Sequence, residues 1–175
     1  MKRKAPSRKP SAKKSAASNG KVSPIPSGYH AVTPYLSVRG AADAIDFYKQ
    51  AFGAKEIMRM PGPDGKLGHA ELRIGDSRVM LSDEYQEMDF LGPKSRGGTT
   101  VHMHVYVPNC DAQVERAVKA GAKVVRPVTD QFYGDRSGCV EDPFGHLWHL
   151  STHIEDVPMS KLRKKAEELA RQPAG

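Results

Sequence analysis

One arrangement of structural signals occurs twice along this 175-residue chain, and it constrains the fold more than any single motif. Residues 31–38 alternate, with Val32, Pro34, Leu36 and Val38 on one side and Ala31, Thr33, Tyr35 and Ser37 on the other. Period two predicts a strand with one covered face. Residues 42–52 then place Ala44, Ile45, Tyr48, Ala51 and Phe52 on one helical face, and Gly53 stands where a helix stop is expected. Strands are predicted over 56–60, 67–74 and 78–82, separated by Pro63-Asp64-Gly65 and by Gly75-Asp76. The order β-α-β-β-β then returns. It comprises a strand over 100–107, a helix over 111–120 with apolar Ala112, Val114, Ala117 and Val118, a stop at Gly121, and strands over 123–128, 132–140 and 147–152. Asp43-Ala44 aligns with Asp111-Ala112, Gly53-Ala54-Lys55 with Gly121-Ala122-Lys123, and Leu81-Ser82 with Leu150-Ser151. Colinear matches at an offset of 68 or 69 residues, on matching elements, point to a duplicated unit.

Length and charge narrow the class. The chain is the size of one domain, and no run approaches the ~18 apolar residues of a membrane span. The N-terminus has no apolar stretch of the secretory kind, and the two cysteines, Cys110 and Cys139, suggest no disulfide framework, so a cytoplasmic location is expected. The formal charge of +7 is concentrated at one end. Residues 1–22 hold Lys2, Arg3, Lys4, Arg8, Lys9, Lys13, Lys14 and Lys21 without an acidic residue, and the remainder is close to neutral. Residues 1–27 are expected to be a disordered basic tail, which could touch nucleic acid weakly; the folded part carries no basic stripe.

The repeat and its motifs resemble the vicinal oxygen chelate superfamily, and within it the PhnB-like branch of the glyoxalase/bleomycin resistance family. The resemblance rests on Phe47-Tyr48, on Gly68-His69-Ala70-Glu71-Leu72, and on Glu141-Asp142-Pro143-Phe144-Gly145-His146 with Trp148. It implies an α+β fold in which two βαβββ modules, within residues 28–157, form an incompletely closed eight-stranded sheet around a cleft. A small-molecule ligand and a homodimer follow from the same resemblance. The four metal-ligand positions of the family fall on Thr33, Met80, His102 and His149. Only the two histidines suit a divalent metal such as Zn, Ni, Fe or Mn, which usually takes three protein ligands.

Strand alternation selects the residues of the cup. His69, Glu71 and Arg73 should face it from one strand, His102, His104 and Tyr106 from another, and Leu147, His149 and Ser151 from the last. His69 and Glu71 could work as an acid/base pair or simply hold each other. His102 and His149 read either as metal ligands or as hydrogen-bonding residues of a polar cleft. Tyr35, His104, Tyr106 and Tyr133 are candidate ligand-binding residues, and Arg136 is either half of a rim ion pair with Asp135 or an anion-binding group. His153 reads as solvent-facing. Residues 158–175 should form a short amphipathic helix capped by Ser160 and a tail, with Leu162, Ala166, Leu169 and Ala170 packed on the domain or on a second subunit. Three functions remain open at this point. They are small-molecule binding with sequestration or a simple isomerase/lyase step, a metal-dependent lyase or dioxygenase, and a tail-directed protein that binds polyanions or a partner.

Overall fold

The structure is a computed structural model and describes residues 22–171. The basic segment 1–21 lies outside the described residues. The first module comprises β1 (Tyr35–Val38), α1 (Ala41–Phe52), β2 (Lys55–Pro61), β3 (Leu67–Ile74) and β4 (Ser77–Asp83). A short helix α2 (Pro93–Arg96) lies in the connection. The second module comprises β5 (His102–Tyr106), α3 (Cys110–Lys119), β6 (Lys123–Asp130), β7 (Asp135–Glu141) and β8 (Leu147–His153), and α4 (Met159–Ala170) follows. Each module is one mixed sheet, ordered β1-β4-β3-β2 or β5-β8-β7-β6, with β1∥β4 and β5∥β8 as the parallel pairs. The expected duplication is therefore present strand for strand. The two sheets share no hydrogen-bonded pair, so the eight strands do not close into one barrel.

Both modules start their helix in the same way. A helix N-terminus leaves orphan N–H groups, and the end of the strand beside the module's first one supplies an acceptor. Asp83 Oδ1 accepts from Gly40 N (2.8 Å) and Ala41 N (3.0 Å), and its Oδ2 accepts from Leu67 N (2.7 Å). Thr152, the matching residue of β8, accepts from Cys110 N at 2.8 Å, and Asn109 adds a local cap on Ala112 N. Gly53 ends α1 in the left-handed conformation (φ +66°), as its position predicted.

The core lies between the sheets and the two helices. Ala44, Ile45, Tyr48 and Ala51 of α1 are fully buried, and Trp148 and Leu150 of β8 meet them from the other module. Phe52 and Trp148 have ring centroids 4.5 Å apart, Tyr48 and Trp148 5.3 Å. Burying one such aromatic removes about 150–250 Å² from water, worth about 4–6 kcal/mol before entropy. The motif around Asp142 forms the joint. Its Oδ2 accepts from Tyr48 Oη and from Trp148 Nε1, both at 2.8 Å, and its Oδ1 accepts from the N–H groups of Phe144 and His146. His146 then donates from Nε2 to the carbonyl of Ser37 on β1 at 3.2 Å.

Several expectations are corrected. Regular β1 starts only at Tyr35, because Pro34 has no N–H to donate, and Val32 is exposed. Of the four apolar positions expected in α3, Val114 and Ala117 are buried while Ala112 and Val118 are exposed, and Cys110 joins the buried side. Pro158, not Ser160, precedes the first residue of α4, and no residue of that helix is buried. No helix among the described residues is long and apolar enough to cross a membrane.

Candidate functional site

The concave face of the second module is built by register. Pairing sets His104 of β5 beside His149 of β8, His149 beside Cys139 of β7, and Cys139 beside Arg126 of β6. His102, one step along, reaches the same point: its Nδ1 lies 2.9 Å from His149 Nε2, with the rings nearly parallel at 18°. His104 stacks on His149 with an interplanar angle of 2°. Arg126 Nη2 lies 3.3 Å from His149 Nδ1 and 3.4 Å from Ser137 Oγ. A guanidinium only donates, so His149 Nδ1 accepts and the ring proton is assigned to Nε2, which donates to His102. Burial pushes His149 below the ordinary histidine value, and Arg126, His102 and His104 push it further. Cys139 Sγ sits 3.8 Å from His149 Nε2, and burial raises its thiol, which keeps it protonated.

The donors do not fit a divalent metal. The lone pair on His102 Nδ1 takes the proton of His149, the lone pair on His149 Nδ1 takes one from Arg126, and a fixed positive charge stands beside them. No group of three or more His, Cys, Asp or Glu side chains among the described residues is arranged to hold a metal. Thr33 and Met80 instead line a cavity of about 350 Å³ under the N-terminal segment, together with Tyr29 and His30. His102 and His149 do meet, as hydrogen-bond partners.

The far end of the same face carries a second constellation. Asp135 is buried; its Oδ2 accepts from Tyr106 Oη and its Oδ1 from His153 Nδ1, both at 2.8 Å. Nε2 of His153 faces Asp156 at 3.0 Å. The hydrogen bonds to Asp135 and then Asp156 raise the His153 pKa above its usual value. Burial alone would raise Asp135, but His153 and Tyr106 outweigh it and hold the carboxylate low. His153 is thus an ion-pair partner and not merely a solvent-facing residue. Tyr133 packs edge-on against Phe132 in the turn before β7. Arg136 points away from the cup and binds Asp111 of α3 and Asp130 of β6, each at 2.7 Å. Alternation along β7 puts it opposite Asp135, so neither the rim pair with Asp135 nor an anion-binding role in the cup fits its position.

The first module carries its own polar cluster. Glu71 is 8% exposed; its Oε1 lies 3.4 Å from His69 Nε2, and His69 Nδ1 lies 2.9 Å from Tyr35 Oη. The acceptor-only carboxylate assigns the N–H to Nε2 and leaves Nδ1 to accept from Tyr35. Glu71 Oε2 accepts from the phenol of Tyr29 and faces Arg78 Nη1 at 3.5 Å. Arg78 also lies over the Tyr29 ring, with its guanidinium carbon 5.0 Å from the centroid. The Tyr29 hydrogen bond, against the effect of burial, lowers the Glu71 pKa, and His69 and Arg78 add to the shift. Sequence reading placed His69 and Glu71 in one cavity with His102 and His149. The structure separates them onto different sheets, where β4 and β1 stand between β3 and the side that faces β5. No hydrogen bond or ion pair among the described residues joins the two clusters.

Cavities open where β1 and β5 face each other. One of about 480 Å³ is lined by Val32, Pro34, Arg78, His104, Tyr106 and Trp148 among others; another, of about 600 Å³, takes in Tyr35, Phe90, Met103 and His146. His102 and His149 line neither cavity and lie on the open face beside them. Arg126, Cys139 and Tyr29 were missed by sequence reading. Residue 126 lies on an edge strand exposed along nearly its whole length, so no alternation marks its direction.

Comparisons with known proteins agree with this architecture. The sequence model of the glyoxalase/bleomycin resistance protein/dioxygenase superfamily matches residues 29–150. The uncharacterized protein Rv0887c of Mycobacterium tuberculosis is 48% identical over 136 residues, which span 76% of this chain and 80% of that protein. Among solved structures, the gene product At5g48480 of Arabidopsis thaliana superimposes with a TM-score of 0.58 at 28% identity, covering 70% of this chain and 98% of that one. TioX from Micromonospora sp. ML1 gives a TM-score of 0.55 at 26% identity, covering 73% and 98%.

Proposed function

The chain belongs to the glyoxalase/bleomycin resistance protein/dioxygenase superfamily, and from that premise we propose that it binds a small organic molecule in its cup without a metal. The observation that carries this reading is the ring-to-ring hydrogen bond of His102 and His149 beside Arg126. It spends on protein partners the lone pairs that a cation would need. Sequestration is favoured over proton transfer, because Glu71, the carboxylate beside His69, is held low by Tyr29 and is a weak base. Tyr106 and His104, with ring centroids 4.9 Å apart, supply an aromatic wall beside the seam. Equilibrium dialysis against Zn, Ni and Mn should give no stoichiometric uptake, while a fragment library should yield compounds whose thermal-shift signal weakens in His104→Ala. Stoichiometric metal lost on replacing His102 or His149 would overturn the reading.

A homodimer is proposed with it. The outer strands β2 and β6 leave Met58 and Met60 on one sheet and Val124 and Val125 on the other exposed, apolar edges that a second copy would cover. Sedimentation equilibrium should return about twice the 19.2 kDa chain mass; a strict monomer at micromolar concentration would reject it.

A further inference from the structure

Arg126 is one of five described arginines, with Arg73, Arg116, Arg163 and Arg171, that pair with no carboxylate among the described residues. Arg39, Arg59, Arg78, Arg96 and Arg136 each lie within ion-pair distance of a carboxylate, whereas Arg126 has no acidic partner among the described residues. Its Nη2 is steadied by Ser137 and His149, both neutral acceptors, which leaves the guanidinium charge uncompensated on the concave face. The row it belongs to, His104-His149-Cys139-Arg126, contains no carboxylate. Two acids stand on the same side of β7 as Cys139: Asp135 has its two oxygens engaged by Tyr106 and His153, and Glu141, across from Leu147, forms no ion pair with Arg126. A second observation lies one step along the strands. Ser151, across from Ser137 and on the same side of β8 as His149, has a fully buried hydroxyl without a hydrogen-bond partner among the described residues. The guanidinium, the Nε2–H left to His102 once its Nδ1 accepts from His149, and the spare hydroxyl are donors without a protein acceptor among the described residues. A planar fork of N–H groups matches the paired oxygens of a carboxylate or a phosphonate.

We propose that this row is an oxyanion seat, and that the ligand of the cup is a small organic acid whose carboxylate or phosphonate group is received by Arg126 beside His149 and His102. The proposal rests on the small-molecule reading above and adds the ligand's charge and the end of the cup it occupies. The acid's carbon skeleton then extends over His104 and Tyr106 toward the seam cavity.

The test uses the full chain with three probes of one shape: benzoate, phenylphosphonate and neutral benzamide. Binding is followed by NMR of the imidazole Cε1–H resonances and by calorimetry. At least one of the two anions should bind saturably, shift the His102 and His149 resonances, and bind at least about ten-fold more tightly than benzamide. A preference between planar benzoate and tetrahedral phenylphosphonate identifies which oxyanion the seat takes. Arg126→Gln should remove that preference for anions, and Arg126→Lys should keep part of it, since the charge remains but the fork does not. Arg126 is solvent-exposed, so both variants should melt with the parent chain. If benzamide and other neutral fragments bind as tightly as the anions, and Arg126→Gln changes nothing, the seat is overturned while small-molecule binding stands. If neither these probes nor a neutral fragment library bind, both readings fall.

Discussion

Replacing Asp142 tests how the two modules are held together. Its carboxylate is 3% exposed and accepts four hydrogen bonds, from Tyr48 Oη, Trp148 Nε1 and the backbone N–H groups of Phe144 and His146. Asp142→Ala orphans the Tyr48 hydroxyl and the Trp148 indole N–H, whose residues are both fully buried. A hydrogen bond to a charged group contributes about 1.5–3 kcal/mol, and an orphaned buried donor costs about 1–3 kcal/mol. The two backbone donors lie in a turn that can open to water, so the loss should be about 3–5 kcal/mol and not a full sum. For a domain of this size that lowers Tm by roughly 6–20 °C, at about 2–4 °C per kcal/mol. Asp142→Asn keeps one oxygen for the turn but points an amide donor at another donor, and should lose about 2–3 kcal/mol. Urea unfolding followed by fluorescence of Trp148, the only tryptophan, reports directly on the joint. Tyr48→Phe should cost about 1–2 kcal/mol in the parent but nothing in the Asp142→Ala background, where the hydroxyl is already orphaned. An Asp142→Ala chain within 1 kcal/mol of the parent, or equal Tyr48→Phe losses in both backgrounds, would refute the reasoning.

Gly134 has φ +95°, and an added Cβ would lie 2.0 Å from the carbonyl oxygen of Glu155, so Gly134→Ala should destabilise by more than about 3 kcal/mol in denaturant unfolding. Gly65 has φ +73° with open space around it, and Gly65→Ala should cost only about 1–2 kcal/mol; equal losses would show that the packing at Gly134 is misjudged. Asn109→Ala removes the side-chain cap of α3 and should lower stability by about 1 kcal/mol, checked in the same unfolding assay. An NMR titration should place the midpoint of His153 above 6.5 and that of His149 below it, and the reverse order would contradict the site geometry. The signs then follow by linkage. Protonated His153 stabilises the fold fully below pH 6.5 and loses that contribution as pH rises through its folded value, whereas the contribution of neutral His149 is present above pH 6.5 and is lost on acidification through its lower folded value.

Much of the cup was legible along the chain because a strand alternates strictly. Period two put His102 and His104 on one side of β5, and His149 and Ser151 on one side of β8, while Leu36, Val38, Trp148 and Leu150 took the core. The duplicated pattern likewise determined two four-stranded modules, and glycines such as Gly53 marked where helices stop. Alternation also predicted that His69 and Glu71 share a face, and they lie within 3.4 Å of each other.

Which residues meet was decided by tertiary structure. Arg126 joins His149 through the lateral order β8-β7-β6, and Asp142 meets Tyr48, 94 positions earlier, because α1 of one module packs on Trp148 of the other. Tyr29 reaches Glu71 across the first sheet, and Arg136 turns to α3 instead of its neighbour Asp135. The physical reason is that local periodicity specifies the side of an element on which a residue stands. The partner it finds there depends on strand order, register and the crossing of distant elements, which arise only when the two modules bury their apolar faces together.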